Sequence, residues 1–134
     1  MSHKLISKGI IAAGLSNILG VLIFSRFFRN TYLNEAEPVV MSNFGLLTII
    51  VWGFAYISVA IHYKKVPLLI FVFAVEKLIY SGVWIYWQLT HDIGQLYQKD
   101  MFAGIFYSVY GINDLFFMVF FIFVFIHSSK NPDN

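Results

Sequence analysis

Five residues set in apolar stretches of this chain can do chemistry: Asn17, Glu76, Lys77, Asn113 and Asp114. Glu76 and Lys77 are neighbours in VFAVEKLIYS, with apolar residues running away on both sides. A carboxylate beside an ammonium offers acid–base chemistry, a counter-ion for a charged ligand, or an ion pair that fixes which helices meet. Such groups are costly at the centre of a bilayer when they face lipid, so they should turn inward and towards one another. Lys77 can pair with Asp114. Glu76 can share Lys77, accept hydrogen bonds from Asn17 or Asn113, or hold a proton. Two carboxylates and one ammonium leave one negative charge over, and a low-dielectric site asks for its neutralisation.

The elements that must position these residues follow from composition. Only 12% of the 134 residues are charged and 59% are hydrophobic, whereas a soluble domain is about a quarter charged. Too few polar groups remain to cover a soluble surface. Four apolar runs stand out, at about 5–28, 44–62, 66–88 and 101–127. About 20 helical residues cross a hydrocarbon core of about 30 Å. The expected fold is therefore all-α, a polytopic membrane protein built as a four-transmembrane-helix antiparallel bundle, with residues 1–134 as a single domain. The first run has no small-residue cleavage site and ends in SRFFRN, so it reads as a retained span and not a signal peptide. The connections are a stretch at 30–42 broken by Pro38, a tight turn at residues 63–65 before Pro67, and a loop or short interfacial helix at 89–100. The midpoints of the first, third and fourth runs lie near Asn17, Lys77 and Asp114, which puts all five polar residues at one level.

Aromatic residues near that level are candidates to line a pocket: Trp52 and Tyr56 on the second run, Tyr80 and Trp84 on the third, Tyr107 and Tyr110 on the fourth. Polar and small residues collect on one side of Glu76, at Tyr80, Ser81, Gly82 and Trp84, while 68–75 is wholly apolar. That asymmetry suggests a pocket open to one half of the membrane, or else a plug of aromatic core. The small-residue stripes Ala12–Ser16–Gly20 and Gly104–Ser108–Gly111 read first as packing surfaces within the bundle and second as a homodimer seam.

Several classes are excluded or disfavoured. The nine basic residues are scattered and the net charge is +2, so no nucleic-acid surface is expected. Cysteine is absent, which rules out disulfides and thiolate metal sites. His62 and His127 share a level without a nearby carboxylate, so no metal site and no cofactor are implied. No zinc-protease motif, phosphate loop or nucleophile elbow occurs. Basic residues favour a topology with both termini cytoplasmic, with Lys4, Lys8, Lys64, Lys65 and Lys130 inside against Arg26, Arg29 and Lys99 outside. A dual topology is the alternative.

In size, number of spans and an acid in the third span, the chain resembles the DoxX-like proteins, small four-helix proteins of the bacterial inner membrane. The resemblance implies a location in that membrane and carries over no catalytic residue. Three functions stay open. One is a structural or assembly subunit whose midplane ion pairs set helix register. Another is a binding or transport module for a small apolar or cationic ligand. The last is a membrane enzyme doing acid–base chemistry on a lipid-like substrate, with Glu76 as acid or base. The expected partners are membrane lipids, a second copy or larger membrane complex, and a small apolar ligand.

Overall fold

Each helix starts and stops where the local chemistry asks it to. Ser2 caps helix α1 (His3–Phe24) by accepting a hydrogen bond from the Leu5 amide. Ser42 caps α3 (Asn43–Val59) in the same way through Gly45. Pro67 opens α4 (Pro67–Thr90), where its missing N–H costs nothing. Short helices α2 (Thr31–Ala36) and α5 (Ile93–Lys99) lie in the two longer connections, and α6 (Met101–Lys130) closes the chain. This computed structural model describes residues 1–130; the last four residues of the expected domain lie outside the described residues.

The four-span expectation is corrected. Among the described residues three helices, α1, α4 and α6, are long and apolar enough to cross a membrane. The expected second span, 44–62, folds as the 17-residue α3, about 26 Å long and short of a hydrocarbon core of about 30 Å. The cause lies at its far end. Ala60 and His62 bond three residues back, to Ile57 and Val59, tightening the chain into the 3-10 turn Tyr63–Lys65 that must reverse it before Pro67. The last apolar residues of that run serve the turn and not the helix. The other spans end close to expectation, though α1 stops at Phe24 and not at 28.

The fold is an all-α assembly of two tightly packed helix pairs, α1 with α3 and α4 with α6. The α1–α3 crossing is set by glycine. A Cβ on Gly14 would sit 2.6 Å from the Gly53 carbonyl oxygen, and one on Gly53 would sit 2.7 Å from that of Gly14. The α4–α6 pair is set by Trp84, whose ring lies over Gly111 and leaves no room for a side chain there. Outward faces are apolar, with Leu19, Ile23, Phe54, Leu78, Ile79, Phe116 and Val119 all exposed. An apolar exterior on helices of this length belongs in lipid, and the protein is an integral membrane protein.

Two apolar clusters fill the ends of the bundle. At the turn end, Ile10, Tyr56, Tyr63, Phe73, Phe117 and Phe121 pack together. At the cap end, α2 and α5 cover Leu33, Met41, Leu46, Trp87, Leu96 and Tyr107. Tyr107 donates to the Leu33 carbonyl and Trp87 to that of Ala36, tying α2 onto α6 and α4.

The cap is held by a latch. Arg26, Phe27 and Phe28 run in the left-handed region, with φ of 49, 55 and 66°, which costs about 1–2 kcal/mol per residue without glycine. Asp100 offsets this. It takes a 2.6 Å ion pair from Arg26, a 2.7 Å bond from Asn30, and the Ala103 amide at the start of α6. Burial pushes the Asp100 carboxyl up, but these donors outweigh it and hold it below the usual aspartate value.

Candidate functional site

The polar cluster joins the two helix pairs at mid-height. Lys77 of α4 is fully buried. Its ammonium donates 2.7 Å to Asp114 Oδ1 on α6 and 2.8 Å to Asn17 Oδ1 on α1, and lies 4.0 Å from Glu76 Oε2. Asn17 spends its own amide on the Ile49 carbonyl of α3, at 3.1 Å. Tyr56 of α3 donates its hydroxyl to Glu76 Oε2. Thus each pair reaches the other by one hydrogen bond: Lys77 to Asn17, and Tyr56 to Glu76.

All five sequence candidates meet here, with Asn113 the loosest. Its amide reaches Asp114 Oδ1 only at 3.4 Å, and its side chain is half-buried. The donors just named occupy one oxygen of each carboxylate. Among the described residues no hydrogen bond reaches Asp114 Oδ2 or Glu76 Oε1.

A cavity of about 360 Å³ lies on the cap side of this cluster, between the helix pairs. Asn17, Glu76, Lys77 and Asp114 form its floor. Tyr80 and Tyr110 stand above them, with Val21, Met41, Ile49 and Phe106 as apolar walls. The Tyr110 hydroxyl is buried and has no hydrogen-bond partner among the described residues. Polar groups therefore converge on one end of an otherwise apolar hollow, which is the usual form of a small-molecule site.

The other four aromatic candidates do not line it. Trp52 packs edge-on against Phe73 in the turn-end cluster. Tyr56 lies on the turn side of Glu76, against Phe73 and Phe121. Trp84 is turned onto Gly111 and donates to the Tyr107 carbonyl at 2.6 Å, and Tyr107 is spent on α2. Trp52 and Tyr56 miss the cavity by depth, since they lie on the turn side of the polar cluster; Trp84 and Tyr107 miss it by rotation, since a helix position one residue away faces about 100° round the axis, and partner choice decided the face.

The small-residue stripes part company too. Gly104 and Gly111 receive the rings of Tyr97 and Trp84, so the α6 stripe is packing within the protein. On α1 the close crossing uses Gly14, which the Ala12–Ser16–Gly20 stripe omits. Ser16 and Gly20 instead line the cavity. Among the described residues no cluster of three or more His, Asp or Glu is arranged to hold a metal ion.

No protein-family model, curated protein or solved structure matches the chain. The site must be read from its own chemistry.

Proposed function

We propose that this is a membrane-embedded binding protein whose cavity takes a small, largely apolar molecule bearing a hydrogen-bond donor. One observation carries the reading: the hollow between the helix pairs ends on Glu76 and Asp114, each of which keeps one carboxylate oxygen that no described residue bonds. An apolar body fills the walls and a donor meets the acceptors at the floor. A protein whose polar cluster served only helix register would be expected to pack its centre without a hollow. The pocket is sealed towards the turn end by the Phe73, Phe117 and Phe121 cluster, which argues for binding and against a continuous channel.

In this reading the protein sits in a bacterial inner membrane with the turn end cytoplasmic, supported by the basic residues near that end. The likeness to DoxX-like proteins enters only through chain size and the acid on the Glu76 helix. Transport by so few helices would call for a second copy.

The test uses 2-naphthol, a small fluorescent apolar molecule with one donor, added to the protein in lipid nanodiscs. A single saturable site, weakened in the Glu76→Gln variant while the melting temperature holds, is the expected result. If neither 2-naphthol nor n-octylamine, n-octanol or octanoate finds a saturable site in the parent beyond that of empty nanodiscs, binding falls and the assembly-subunit reading takes its place.

A further inference from the structure

The cavity has a side window, and its position says where a ligand comes from. The partly exposed residues of the lining lie mainly on α1 and α6: Ser16, Gly20 and Ile23 on one side, Val109 and Asn113 on the other. Ile23 and Val109 also face outward, 51% and 44% exposed. The two helices touch on either side of this stretch. Towards the turn end, Gly9 lies against Phe120 so closely that no side chain would fit. Towards the cap end, Phe24 packs on Phe102 and Phe106, and Arg26 is paired with Asp100. Between these contacts, a Cβ built on Gly20 meets nothing within 4 Å among the described residues. The window from Ser16 to Ile23 is about 10 Å long at 1.5 Å per residue.

The charge at the floor says what kind of head group suits it. Lys77 is committed to Asp114 and Asn17, so its ammonium is not a free anion site. Glu76 and Asp114 each present an oxygen that no described residue bonds, and one Lys against two carboxylates leaves the site acceptor-rich. Tyr110 adds a buried hydroxyl that no described residue bonds. An anionic head would face two carboxylates at close range. A cationic donor would balance the site and fill the open acceptors.

Resting on the binding reading above, we propose that the ligand is a lipophilic amine that enters from the hydrocarbon through the window between α1 and α6, with Gly20 as the residue that keeps the window open. The ammonium lies against Glu76 and Asp114, and the apolar tail lies along Val21, Ile49 and Phe106 towards the window. Access from water is closed by α2, α5 and the latch at one end and by the aromatic cluster at the other. The bilayer is then both the source of the ligand and the solvent that concentrates it.

The experiment measures equilibrium uptake of radiolabelled n-octylamine, n-octanol and octanoate by the full chain in nanodiscs, with empty nanodiscs subtracted. The parent is expected to bind octylamine about tenfold or more tighter than octanol, and octanoate more weakly still. Glu76→Gln should shrink the preference for the amine. Gly20→Phe should fill the window and abolish saturable uptake, and because the position is open it should melt close to the parent. Equal affinity for octylamine and octanol overturns the amine assignment while leaving the binding site intact. Unchanged uptake in Gly20→Phe overturns the lateral route. If none of the three probes and no 2-naphthol binds the parent, the binding reading itself is overturned.

Discussion

Replacing Lys77 with methionine keeps an unbranched side chain one atom shorter and removes its charge. In the folded protein that ammonium makes two short bonds, 2.7 Å to Asp114 and 2.8 Å to Asn17, and stands 4.0 Å from Glu76. Hydrogen bonds to charged groups contribute about 1.5–3 kcal/mol each, and breaking a buried pair by removing one partner costs about 3–5 kcal/mol because the other charge stays buried. The two bonds together give about 3–6 kcal/mol and the second route about 3–5 kcal/mol, either one a large share of an ordinary stability of about 5–15 kcal/mol. The assay is a thermal melt in one detergent, with the double variant Lys77→Met with Asp114→Leu alongside. The single variant should melt far below the parent, and the double variant should recover part of the loss, since the carboxylate bonded directly to the ammonium is then gone and only Glu76, which keeps its bond from Tyr56, remains near methionine. A single variant that melts like the parent would refute the claim that Lys77 balances buried charge. Equal losses in single and double variants would mean that packing, and not charge, sets the cost.

Glycine positions should separate sharply: Gly111→Ala should destabilise by about 1–3 kcal/mol, because a Cβ there strikes the Trp84 ring, whereas Gly20→Ala should be neutral or stabilise by up to about 1 kcal/mol; chemical denaturation of both reads this out. The Asp100 latch should depend on pH in one direction. Its folded pKa lies below the ordinary value of about 3.9, so its contribution is full above that value and fades as acid carries the pH through the lower folded value. Asp100→Asn should therefore cost about 1–2 kcal/mol near neutral pH and little near pH 2, in melts at the two values. Cysteines placed singly at Glu37 and Gln95 should react with a membrane-impermeant thiol reagent in intact cells, and one at Lys64 should not; labelling at Lys64 would reverse the orientation proposed above.

What the sequence revealed and what it hid divide along a physical line. Depth in a helix grows by a fixed rise per residue, so counting along the chain was enough to bring Asn17, Glu76, Lys77, Asn113 and Asp114 to one level and to pair Lys77 with Asp114. Rotation is different. Whether Trp84 faces a cavity or a neighbouring glycine depends on where the partner helix places Gly111, and no single helix encodes that. The partner of Glu76 was missed for the same reason: Tyr56 was counted as a pocket residue, although a phenol one helix away from a buried carboxylate at the same depth is a natural donor to it. The length of α3 was misread because hydropathy counts apolar residues without asking which of them a reversal will consume. The signals that mark the reversal, Lys64, Lys65 and Pro67, lie just beyond the run. The window was hidden most deeply. Gly20 reads as one member of a packing stripe, and its three-residue neighbourhood is no different from that of the glycines that do pack. In the lateral route proposed above, the same residue type is an opening and not a point of closest approach, because a Cβ on Gly20, between the Gly9–Phe120 contact and the Phe24 contacts, meets nothing among the described residues within 4 Å. Small residues permit close approach; whether the neighbour takes up that permission is a property of the pair.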